Sequence, residues 1–102
     1  MEEKEFVVNF YYYPKELIEL DFDEKIKPGF RFSIWKDNSK YTAGEIIKLV
    51  DCLFINPGEK REAFIALMNT KITQNILEGD VLYIGSVFKK IGEMNIISTI
   101  LR

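Results

Sequence analysis

The chain has 102 residues, 47% hydrophobic and 14% aromatic, enough to bury one core of its own and too apolar for a disordered segment. A net charge of −2 and a pI near 5.2 argue against a dedicated nucleic-acid binder. The lack of histidine removes the commonest general base and metal ligand, and a single cysteine, Cys52, rules out an intrachain disulfide.

The charge is uneven. Residues 1–27 carry eight acidic and four basic side chains, whereas residues 28–102 carry eight acidic and ten basic. A mildly basic body behind an acidic leading segment can present two different faces. The start, M-E-E-K-E, lacks the basic and apolar segments of a secretory leader. No apolar run approaches the roughly 20 residues of a membrane span, so a soluble cytoplasmic chain with no membrane partner is expected. Cys52, beside Val50, Leu53 and Phe54, reads as a buried, inert thiol.

Residues 5–13, E-F-V-V-N-F-Y-Y-Y, are rich in β-branched and aromatic side chains and read as a strand ended by Pro14. Alternation puts Phe6, Val8, Phe10 and Tyr12 on one face; Val7, Asn9, Tyr11 and Tyr13 share the other, wetter face. Lys15 to Lys27 is a charged connection. Its acidic cluster, Glu16, Glu19, Asp21, Asp23 and Glu24, lacks the ligand spacing of a calcium loop and reads as solvated. After the Pro28-Gly29 turn, Phe30, Phe32 and Ile34 alternate with Arg31, Ser33 and Trp35 in a second strand. Lys36 to Lys40 is a polar hairpin loop.

The middle of the chain supports two readings. Thr42 and Glu45 sit as a capping box, and Ile46, Leu49, Val50 and Leu53 follow at helical spacing. Asn56-Pro57 could likewise start a helix running from Glu59 to Met68. Two helices and an α+β domain follow from propensity alone. Against that, Gly44 is a poor helix residue, Ile46, Ile47 and Val50 are β-branched, and Asn56-Pro57-Gly58-Glu59 makes a good tight turn between strands.

The last quarter has a Glu78-Gly79-Asp80 turn, an apolar run from Val81 to Ile84, a charged reversal at Lys89-Lys90-Ile91-Gly92, and a final run from Ile96 to Leu101. This order resembles the closing strands of the C-terminal β-barrel domain of elongation factor Tu and its relatives. Upstream, Lys27-Pro28-Gly29-Phe30-Arg31, Thr42 to Leu49 and Asn56-Pro57-Gly58-Glu59 are similar to that family's other turn and strand motifs. The resemblance covers nearly the whole chain. It implies one domain over residues 1–102, an all-β, six-stranded antiparallel closed barrel of the translation-factor type. Residues of roughly 41–53 and 60–69 would then be strands. The family's closing hairpin lies near bound tRNA, but here Gly85-Ser86-Val87-Phe88-Lys89 lacks its paired glycines. The stretch Glu93-Met94-Asn95 looks one residue longer than the family's and suggests a bulge.

No phosphate-cradling G-x-x-x-x-G-K-[S/T] loop, paired-cysteine metal motif or nucleophile-elbow serine occurs. No catalytic residue, metal, cofactor or nucleotide is therefore expected, and the chain reads as a non-catalytic binding module. A protein partner is expected, with Tyr11, Tyr13 and Trp35 as exposed aromatic anchors. The bland reading packs these rings beneath loops. The alternative function is an RNA- or ribosome-associated domain using Arg31, Lys36, Lys40, Lys89 and Lys90. Interspersed acidic residues oppose it, and the plainer reading is that these are solvated hairpin charges.

Overall fold

The computed structural model describes residues 3–18, 25–36, 41–68, 70–85 and 89–100. Its strands are β1 (Glu3–Tyr12), β2 (Arg31–Trp35), β3 (Tyr41–Leu49), β4 (Lys60–Met68), β5 (Val81–Gly85) and β6 (Lys90–Ile100). Two one-turn helices accompany them, α1 (Lys15–Ile18) and α2 (Lys71–Gln74). All strand pairs are antiparallel, and the order β1-β4-β3-β2-β5-β6 closes on itself. The chain is an all-β, six-stranded antiparallel closed barrel, in which every strand has a neighbour on both sides.

Both segments with helical spacing are strands. In β3 the cause is a bulge. Ile46 faces Ile65 on β4 but Lys48 faces Phe64, which leaves Ile47 as an extra residue. Ile46 and Leu49 therefore both enter the core while Ile47 and Lys48 stay outside, a three-residue spacing made by a strand. β3 stops at Leu49 rather than continuing to residue 53, and Asp51 takes a left-handed φ of 59° where the chain turns away. Leu53 is consequently 84% exposed, and Cys52 is half-buried against the core rather than fully enclosed.

β6 carries extra residues, but not at Glu93 to Asn95, which pair regularly with β1 and β5. They are Ile91, opposite β5, and Ile97, opposite β1, and Ile97 is turned outward as a result. Ile96 is buried and Ile100 only partly so; Leu101 lies outside the described residues, as do residues 19–24, 37–40 and 86–88. The expectations for the acidic cluster beyond Glu16, for Lys40 and for Ser86-Val87-Phe88 thus concern residues outside the described ones.

Three tight turns tie the strands together at the barrel rim. Lys27 to Phe30, Asn56 to Glu59 and Leu77 to Asp80 each close with the last N–H donating to the first carbonyl. The third residue of each is a glycine at φ 93°, 88° or 89°, the type II position whose left-handed backbone strains residues with a β-carbon. Each glycine N–H donates to a strand carbonyl, of Ile46, Tyr12 and Ile96 respectively. The N–H of that same strand residue donates back to the carbonyl of Phe30, Glu59 or Asp80. In the last two turns the Glu59 and Asp80 carboxylates also accept the N–H of Asn56 and Leu77, which holds both carboxyls below their usual range.

Inside, Phe6, Val8, Phe10 and Tyr12 of β1 are buried together with Phe32 and Ile34 of β2. Phe32 stacks on the partly buried Phe30 at 6.1 Å and meets the Phe10 ring edge-on at 6.2 Å. One end of the barrel is plugged by the Ile26–Ile55 bridge, both side chains being buried. At the other, Thr70 caps α2 by accepting the Thr73 N–H, while the buried Thr73 hydroxyl donates to the Met68 carbonyl.

Candidate functional site

Side-chain alternation sets every second residue of a strand outside, and cross-strand register decides which outer residues become neighbours. On β1, Tyr11 stands between the buried Phe10 and Tyr12; on β5, Tyr83 stands between the buried Leu82 and Ile84. On β6, Glu93 stands between the buried Gly92 and Met94, and on β2 Trp35 follows the buried Ile34. The registers pair Lys60 with Tyr11, Tyr11 with Glu93, Glu93 with Tyr83, and Tyr83 with Trp35. A single row of outer side chains thus crosses five strands.

The row stays on one side of the barrel because the strands are steeply tilted. Extrapolated through Tyr41 and along the Gly44–Leu67 register, the line of paired residues meets the extension of β4 ten positions beyond Lys60. Such a stagger over six strands implies a tilt of roughly 45–50°, so the path from Tyr11 to Trp35 winds only about a quarter of the way round.

Tyr13, just past β1, extends the row. Its ring meets Tyr11 edge-on, with centroids 5.5 Å apart and planes at 73°, and its N–H donates to the Ile91 carbonyl. Partial burial, and then the adjacent Glu93 carboxylate, push the Tyr13 pKa up to about 12. Lys60 lies 5.6 Å from the Tyr11 ring centroid, and Lys90 lies 4.1 Å from that of Tyr83. Gly92 allows β6 to approach this closely, since a Cβ there would overlap the Tyr11 carbonyl oxygen.

The three aromatic anchors expected from sequence, Tyr11, Tyr13 and Trp35, thus belong to one row and are half-buried rather than covered. The basic candidates do not gather with one another. Arg31 stands four residues before Trp35 on β2, about 13 Å away along an extended strand. It lines a shallow groove of about 250 Å³ with Glu3, Ala43, Glu45, Ala66 and Met68, directly across from Glu45. Lys36 is held by the Asp80 carboxylate at 2.9 Å and donates to the Asn75 carbonyl at 3.2 Å. Lys90 covers Tyr83, and Lys89 is half-buried with its backbone close against Gly85. Sequence reasoning missed Tyr83 and Glu93, although alternation within Val81 to Gly85 already sets Tyr83 opposite its apolar neighbours.

Chemically the row offers flat apolar rings, phenol and indole donors, one carboxylate and two flanking ammonium groups. Among the described residues, no group of three His, Cys, Asp or Glu side chains is placed to hold a metal, and no helix is long and apolar enough to cross a membrane. No protein-family model matches the chain, and no curated protein does.

Proposed function

We propose that this chain is a non-catalytic, cytoplasmic binding module, a translation-factor-type barrel like the C-terminal domain of elongation factor Tu, that docks a protein partner on its aromatic row. The observation that carries the reading is the alignment of Tyr11, Tyr13, Tyr83 and Trp35 across neighbouring strands. Aromatic rings with a polar tip, set among charged residues, are what interface anchors are usually made of. The order of turn and strand motifs supports the translation-factor likeness, each of its three glycine turns lying at the rim.

RNA binding is the second reading, favoured by the lysines beside Tyr11 and Tyr83, since single strands stack on rings flanked by cations. Glu93 stands against it, because a phosphate backbone crossing the row would meet a carboxylate midway. Capture from native lysate, with and without nuclease, separates the two. Replacing Tyr11, Tyr13 and Trp35 together by Ala should abolish capture of a nuclease-resistant partner while the barrel stays folded. Replacing Arg31, Lys89 and Lys90 by Ser should leave capture nearly intact. Release of the partner by nuclease, with the basic set the sensitive one, would give the function to RNA.

A further inference from the structure

We propose that the occupant of the row is a proline-rich peptide segment in the polyproline II conformation, carrying one arginine or lysine against Glu93. This rests on the protein-docking reading above and names the chemistry of the partner.

Elimination among the general modes of peptide recognition leads here. Strand addition runs a peptide along a sheet edge, whereas the row crosses five strands that are paired with one another at each of its residues. A helix needs an apolar groove, but the groove beside β2 is lined by Glu3, Arg31 and Glu45 and does not contain the rings. Phosphopeptide capture needs clustered arginines, whereas Arg31 faces Glu45 across the barrel wall and Arg61 is paired with Glu59 at 2.7 Å. A polyproline II segment needs only an aromatic surface of suitable spacing, with donors for its solvated carbonyls.

The spacing fits. Tyr11 and Tyr83 are separated by one intervening strand, about 9.5 Å at the usual strand separation. Three residues of polyproline II rise about 9.3 Å, so prolines on one edge of the peptide meet successive rings. Trp35 lies one strand further on, and the edge-on Tyr11–Tyr13 ring pair stands at the opposite end. The Trp35 indole and the tyrosine hydroxyls supply donors.

The charge fits as well. Glu93 sits in line between the two rings and is only half-buried, so its carboxylate can take a charge-assisted hydrogen bond from a ligand cation. Lys60 and Lys90 already occupy the neighbourhood of the Tyr11 and Tyr83 rings, where cations are favoured. Both are exposed, so a ligand guanidinium can displace them at little cost.

Trp35 is the single tryptophan, so its fluorescence reports on the row directly. The probe is a synthetic proline-rich peptide of about ten residues with one central arginine. Controls replace the arginine by glutamate or the prolines by alanine, and a fourth arm uses oligouridylate. A saturable change with the first peptide is expected, about tenfold weaker with either control peptide. Glu93→Gln should weaken binding about tenfold, and Tyr83→Ala should remove it with the circular dichroism spectrum unchanged. Equal binding of the alanine peptide, or no saturable change with the proline–arginine peptide at millimolar concentration, overturns the proposed occupant. Lysate capture that survives the Tyr11, Tyr13 and Trp35 replacement sinks the docking reading itself. A response to oligouridylate alone overturns both.

Discussion

Tyr11, Tyr12 and Tyr13 are consecutive, yet Tyr12 points into the barrel and is 2% exposed, while its neighbours form a perpendicular pair on the outer wall. The same contrast runs along β5, where Tyr83 stands outside between the buried Leu82 and Ile84. The inner side chains contribute to stability through the area they bury, whereas the outer rings keep part of their surface in water. A closed barrel therefore builds its core and its surface from one set of strands, one residue apart. Substitutions on the two sides should separate stability from binding.

The largest expected effect lies inside. Phe32 is buried between Phe10 and Phe30, and Phe32→Ala should cost about 3–5 kcal/mol in urea unfolding. Tyr83→Ala, on the outer side of the adjacent strand, should cost no more than about 1 kcal/mol. Comparable losses for the two would mean that the row is packed as core, and its role as a docking surface would fall.

A smaller effect is expected where the two sides meet. Gly92 points inward, and its missing side chain lets β6 press against the Tyr11 carbonyl. Gly92→Ala should cost about 1–3 kcal/mol by forcing those strands apart, and should also disturb the Trp35 fluorescence response of the row. Gly29 sits in a rim turn at φ 93° with open space around a β-carbon, so Gly29→Ala should cost about 1–2 kcal/mol from backbone strain alone and leave the row intact. If Gly92→Ala is silent in unfolding, the close approach of β1 and β6 is not what sets the row.

Inside and outside were legible on β1 and β2 because their alternation is uninterrupted: Phe6, Val8, Phe10 and Tyr12, then Phe32 and Ile34, are the buried set. It was obscured in β3, where the extra Ile47 turns a two-residue period into the Ile46-to-Leu49 interval of a helix. Long-range pairing overrides such local spacing, and Gly44 and the β-branched Ile46 and Ile47 left strands open there until the likeness to a known barrel decided for them. The row itself was half-legible. Tyr11, Tyr13 and Trp35 could be set outside by alternation, but their adjacency depends on β1 pairing with β6 and β5 with β2. Those are contacts between residues far apart in sequence, which no local period encodes. Glu93, read as part of an inserted stretch, is instead the regularly paired residue at the centre of the row.

The smallest expected effect is a titration, and it tests how closely the outer side chains are joined. Burial first, and then the Glu93 carboxylate, raise the Tyr13 phenol to about 12, above the value near 10 of a free tyrosine. A group whose pKa is raised by folding stabilises the fold fully below its unfolded pKa and loses that contribution as pH rises through the folded value. Stability should therefore decline from about pH 10 towards pH 12 on this account. Followed by tyrosinate absorbance, the Tyr13 transition should come above the value near 10 of a free tyrosine. Glu93→Gln removes the negative charge but leaves the burial, so the Tyr13 transition should move down without reaching the free value. A transition unmoved by Glu93→Gln would separate Tyr13 from Glu93. The carboxylate would then be free of the ring pair, and the outer wall would be a set of independent side chains rather than a row.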